Sequence, residues 1–137
     1  RWMPGIRNLA KATKLEHLII WGLTGVKEWD LSVFPKLRFL SVHGSRGVES
    51  IDLSGLKHLQ HIELLAMPKL TEIHGLNSLT ITPKTWLRID GSKRLPPKLL
   101  RHFGCAFHMS FNGKRIISEG QNVRPWPDEV KPRMSKV

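Results

Sequence analysis

Apolar residues recur along this chain in a frame that returns every 22 residues. Leu15-x-x-Leu18-x-Ile20 is followed by Leu37-x-x-Leu40-x-Val42 and then by Leu59-x-x-Ile62-x-Leu64. Six residues past the last apolar position of each stand Val26, Val48 and Leu70, and three further on Trp29, Ile51 and Ile73. Leu31 and Leu53 share the next offset, with Leu76 one place later, and Phe34, Leu56 and Leu79 close each unit. A fourth unit is irregular: Leu87-x-Ile89 supplies its strand pattern, and Leu95 lies six residues after Ile89.

Alternation of apolar and polar residues puts alternate side chains on one face of a short strand. The pattern predicts strands over 18–20, 40–42, 62–64 and 87–89, paired in parallel about 4.8 Å apart. The remaining apolar positions make the return leg and close the same core, so no unit can bury its apolar side alone. Leu40, Val42, Ile51, Leu53, Leu56, Ile62, Leu64, Leu70 and Ile73 are the expected core. Periods of 20–29 residues carrying L-x-x-L-x-L are the signature of leucine-rich repeats. The expected architecture is therefore an α/β-type solenoid. Its parallel sheet would line the concave face, its return legs would be irregular or 3-10, and a cap would close the C-terminal end.

The organisation divides accordingly. Residues 1–14, with Ile6 and Leu9, read as the end of a preceding repeat or a connection, and residues 15–103 as the repeats. Residues 104–118 read as a capping hairpin: Phe107-x-Met109-x-Phe111 alternates, Asn112-Gly113 is a strong two-residue turn signal, and Ile116-Ile117 supplies the return strand. Residues 119–137, with Pro125, Pro127 and Pro132, read as a basic flexible tail. The first repeat is uncapped and Arg1-Trp2-Met3 is no signal peptide, so the chain is expected to be a fragment.

The net charge of +11 changes the picture less than its size suggests. Residues 1–14 carry four Lys or Arg and no acid; residues 15–92 carry eight of each sign; residues 93–137 carry ten basic and three acidic. The repeat body is neutral and the basicity lies in the flanks. A groove-reading module would carry its charge on the folded face, so a nucleic-acid partner is disfavoured. The single Cys105 can form no internal disulfide, no Asn-x-Ser/Thr acceptor occurs, and no apolar run approaches a membrane span. A cytoplasmic or nuclear setting is expected.

The run from Leu53 through Leu64, Leu-Ser-Gly-Leu-Lys-His-Leu-Gln-His-Ile-Glu-Leu, is followed by Met67-Pro68-Lys69-Leu70-Thr71-Glu72-Ile73-His74-Gly75-Leu76. Together these resemble the irregular leucine-rich repeats of plant intracellular nucleotide-binding immune receptors, the disease resistance proteins. The likeness covers about residues 15–100. It implies a module that senses pathogen effectors and helps hold its receptor inactive, with a protein partner and other domains of the same chain as its contacts. The nucleotide-binding part of such receptors is absent here, since no G-x-x-x-x-G-K-[ST] occurs. The basic tail and the irregular fourth unit match no feature of that family. Two other readings remain open: a ubiquitin-ligase or signalling adaptor, and a basic RNA- or ribosome-associated protein.

The register names the face a partner would meet. Its first column is His17, Phe39, His61 and Trp86; the second Ile19, Ser41, Glu63 and Arg88; the third Trp21, His43, Leu65 and Asp90. Three aromatics and two aliphatics pointing away from a core are typical of binding anchors. No enzyme, metal or cofactor is expected in this fragment. His58 and His61 have no third ligand near, and His17 and His61 share a column roughly 10 Å apart, too far for one zinc ion. Cys105 lies between His102 and His108, but without an orienting acid it reads as a buried structural cysteine.

Overall fold

The computed structural model describes residues 13–123. Ten strands occur in this span: β1 (His17–Trp21), β2 (Glu28–Asp30), β3 (Phe39–His43), β4 (Ser50–Asp52), β5 (His61–Leu65), β6 (Glu72–His74), β7 (Trp86–Asp90), β8 (His108–Phe111), β9 (Lys114–Ser118) and β10 (Gln121–Asn122). They form a seven-stranded sheet, ordered β1-β3-β5-β7-β8-β9-β10, and a three-stranded sheet, β2-β4-β6. The strands from β1 to β8 in the larger sheet pair in parallel, and so do all three of the smaller one. Residues 18–20, 40–42, 62–64 and 87–89 thus lie in one parallel ladder.

The ladder's register explains the repeat spacing. His17 lies opposite Phe39 and Phe39 opposite His61, each 22 residues on. His61 meets Trp86 after 25 residues, and Trp86 meets His108 after 22 again. Alternate positions make two inward rows. Leu18, Leu40, Ile62, Leu87 and Met109 form one, and Ile20, Val42, Leu64, Ile89 and Phe111 the other; all are buried but Ile20, which is half-buried on β1, the outermost ladder strand among the described residues. Two residues past each of the first four ladder strands come Leu23, Ser45, Met67 and Ser92, all fully buried. The opposite wall holds Trp29 and Ile51, then Leu31, Leu53 and Leu76, then Phe34, Leu56 and Leu79. Ile73, expected in the core, is only partly buried. Its strand β6 is the outer strand of the small sheet among the described residues, and its free flank borders a cleft shared with Leu95, Pro96 and Leu99.

The small sheet stops at β6 for a local reason. The fourth unit would place its next strand at 97–99, and Pro97 has no N–H to give a ladder. Residues Pro97–Phe103 instead form a 3-10 helix that buries Leu99, Leu100 and Phe103 against the core. Gly75, at φ +83°, turns the chain out of β6, and a Cβ there would run into the backbone of Ser54. That close approach is where the third return leg closes on the second.

The C-terminal segment differs from expectation in two ways. β8 belongs to the ladder as its fifth parallel strand, and Ala106-x-x-Met109-x-Phe111 repeats the earlier frame with a small first residue. Phe107, read as part of the alternation, precedes the strand and is exposed. β9 then returns antiparallel through Asn112 and Gly113, whose φ values of 47° and 85° suit a type I′ turn. Residues 119–123, assigned to the flexible tail, turn again at Gly120 and pair as β10 against β9. Residues 1–12, including Ile6 and Leu9, and residues 124–137 lie outside the described residues.

Candidate functional site

Alternation sends the other side chain of each pair to the outer face of the large sheet. The register aligns there three columns: His17, Phe39, His61, Trp86 and His108; Ile19, Ser41, Glu63, Arg88 and Ser110; Trp21, His43, Leu65 and Asp90. The twelve residues named from the sequence share this face. His108 and Ser110 extend it and were missed, because residues 104–118 were read as a cap rather than as a further unit.

The first column is a stack of five rings. Centroids are 5.7 Å apart from His17 to Phe39, 4.1 Å from Phe39 to His61, and 4.5 Å from His61 to Trp86 and again from Trp86 to His108. The last three contacts are nearly parallel, with interplanar angles of 15°, 6° and 13°. In-register parallel strands hold equivalent side chains at the strand spacing of about 4.8 Å, close to a stacking distance, so rings at one position stack without adjustment. The faces of the inner rings are spent on each other and their edges point outward.

Burial, the largest influence on both, holds His61 and His108 below the ordinary imidazole pKa. For His61 the nearby Glu63 works against this and His108 adds to it; for His108 the Arg115 and Arg88 guanidiniums add to it. Both rings are neutral near pH 7, and imidazoles alternate with Phe39 and Trp86 rather than meeting. No group of three or more metal-ligating side chains occurs among the described residues.

The second column carries a polar hub. Ser41 Oγ donates to Glu63 Oε1 at 2.9 Å and lies 2.7 Å from His43 Nε2. With its only proton given to Glu63, Ser41 accepts from His43, so Nε2 carries the proton. That nitrogen is also 3.4 Å from Glu63 Oε1, and Arg88 Nη1 approaches Glu63 Oε2 at 3.5 Å. A nucleophile relay places serine and acid on opposite imidazole nitrogens. Here both reach Nε2. Ser41, expected among the partner contacts, is only 3% exposed and lies beneath its neighbours.

In the third column Trp21 leans on His43 with centroids 4.1 Å apart and is 72% exposed, while Ile19 beside it is 56% exposed. At the other end, Trp86, Arg88, His108, Ser110, Arg115 and Val123 border a cleft of about 750 Å³. Cys105, expected to be buried, is exposed, and its Sγ–H points at the Ile81 carbonyl at 3.3 Å. It precedes β8 on the surface rather than filling the core. No helix among the described residues is long and apolar enough to cross a membrane. Compared with known proteins, the chain matches no family model, no curated protein and no solved structure.

Proposed function

We propose that the outer face of the seven-stranded sheet is a protein-recognition surface on a leucine-rich-repeat module. In the setting suggested by the sequence, that of a plant intracellular immune receptor, the face senses a pathogen effector and touches other domains of its own receptor to hold it inactive. One observation carries the recognition reading: five rings in register on an outward face, flanked by Ile19 and Trp21 left bare to solvent. Large rings held rigid by stacking lose little freedom when a partner covers them, which is what binding anchors need.

The same stacking favours protein over nucleic acid. Base stacking needs free ring faces, and here the inner faces are already covered while Glu63 and Asp90 lie in the neighbouring columns. The receptor setting rests on the phrases between Leu53 and Leu76 alone. Where the common repeat motif carries Asn or Cys, this chain has Leu23, Ser45, Met67 and Ser92, in keeping with an irregular member.

The test is to replace Phe39 and Trp86 by alanine in the full-length protein and measure partner recognition. Recognition is expected to be lost while the circular dichroism spectrum and its thermal transition persist. Recognition that survives both changes would sink the proposal.

A further inference from the structure

The ring stack ends at β8, where β9 turns back antiparallel and sets Arg115 opposite Ser110. The face gains a wall there, and the cleft of about 750 Å³ lies against it. Its borders carry two guanidiniums, Arg88 and Arg115, against one carboxylate, Asp90. Ser110 lies between them in the register, and beside it His108 is held below the ordinary imidazole pKa by burial and then by both arginines. Arg88 is tied to Glu63 only at 3.5 Å, with its side chain 45% exposed, so it can turn to a second acid at little cost. The C-terminal part of the described chain shares the sign: residues 93–123 carry Lys93, Arg94, Lys98, Arg101, Lys114 and Arg115 against the single acid Glu119, with Lys98 and Arg101 bordering a separate cleft beside β6, while residues 15–92 are balanced.

We infer that this cleft receives an acidic segment of the partner protein, with carboxylates set between Arg88 and Arg115 and the segment's chain running along the edges of Trp86 and His108. The inference rests on the protein-recognition reading of the face and specifies the partner's chemistry at one end of it. Two guanidiniums on the strands either side of β8 suit carboxylate acceptors, which they can hold through paired N–H donors. A basic end on a balanced body steers an acidic partner to this end of the face. A nucleic acid would satisfy the charge but not the rings, since the Trp86 faces are covered by His61 and His108.

The probe is an acetylated, amidated hexaglutamate titrated into the 137-residue chain and followed by amide NMR. Binding is expected to shift the resonances of residues 86–90 and 108–115 and to weaken steadily with added salt. Arg115→Glu, and separately Arg88→Gln with Arg115→Gln, should each lower the affinity by about tenfold or more. The second pair guards against a charge reversal that unfolds the hairpin, and an unchanged amide spectrum elsewhere certifies the fold. Lys27→Gln, at an exposed lysine outside the cleft lining and off the ring stack, should leave hexaglutamate binding unchanged. Affinity indifferent to both arginine variants overturns the inference. So does an oligothymidylate of equal charge that binds more tightly at the same resonances, or hexaglutamate that binds only after residues 124–137, with their own Asp128 and Glu129, are removed. None of these outcomes touches the ring stack, which stands or falls on the Phe39 and Trp86 recognition test.

Discussion

The first half of the described molecule, up to Leu79, and the second, from Thr80 to Val123, continue the same outer ladder over different backs. In the first half every ladder strand is answered by a strand of the small sheet, the spacing is 22 residues, and charge is balanced. In the second half a 3-10 helix and an antiparallel hairpin replace the small sheet, and basic residues dominate. The ring column crosses this boundary without a break, at 4.5 Å from His61 to Trp86. A parallel ladder constrains only the strand and the turn that feeds it. The return leg can change its form provided it delivers enough apolar bulk to the same interior.

If the halves share one core, matched substitutions should cost alike, and where they differ they should differ predictably. The largest effect is expected at Phe34 and Phe103, each about 1% exposed, whose carbonyls accept from Leu37 N and Ala106 N three residues on. Phe34→Ala and Phe103→Ala should each cost about 3–5 kcal/mol in denaturant unfolding. A cost below about 1 kcal/mol for Phe103→Ala alone would show that the second half is not part of the same cooperative core. Next comes a pair expected to separate. Gly75→Ala meets both a positive φ and the Ser54 backbone, whereas Gly113→Ala meets a positive φ in open space. The first should cost about 2–4 kcal/mol and the second about 1 kcal/mol, by thermal unfolding.

Ser45 and Ser92 occupy the same buried position in the two halves, and neither hydroxyl has a hydrogen-bond partner among the described residues. Ser45→Ala and Ser92→Ala should leave stability unchanged or raise it by up to about 1 kcal/mol, because an unsatisfied buried hydroxyl is removed. A loss of more than that would reveal a partner for the hydroxyl. The smallest effect is a slope. His61 and His108 have lowered folded-state pKa values, so the folded chain binds protons less readily than the unfolded one. Their contribution is therefore complete above the unfolded imidazole value of about 6.5 and is lost as pH falls through it toward the folded values. The urea midpoint should drop between pH 8 and pH 5 (a range of about 3 units spanning that value), and His61→Phe or His108→Phe should each flatten part of the drop. An unaltered slope in both would mean that the ring stack tolerates charge.

Most of the inward rows and nine of the twelve face residues could be read from the 22-residue frame, and Trp86, Arg88 and Asp90 from the Leu87-x-Ile89 alternation, because strand alternation leaves no freedom once one apolar row is placed. What escaped lay where the frame is carried by unexpected residues. Thr85 follows a turn like those before Leu37 and Leu59 but stands one residue nearer its strand; it is fully buried, and its Oγ1 is satisfied by the Thr82 N–H at 2.9 Å, so a polar residue does an apolar residue's job. Ala106 likewise stands for a leucine, which concealed the fifth ladder strand and with it His108 and Ser110. The burial of Ser41 depends on Glu63 and His43, contacts 22 residues away or sideways along the strand that no local pattern encodes. Cys105 was placed by the habits of its residue type, and a surface turn overruled them.

The strand order has a consequence for how the molecule opens. Among the described residues each ladder strand is hydrogen-bonded only to its immediate neighbours in the large sheet, so the ladder has no central element whose loss dissolves every pairing at once. Opening can begin at either flank and advance rung by rung, and amide exchange should grade accordingly. Protection should be greatest in β5, flanked on both sides and backed by β6, and least in β1 and β10 at the two margins. A ligand that clamps β7, β8 and β9 together would stop that advance from one side. Its footprint could then be read as slowed exchange in strands it never contacts.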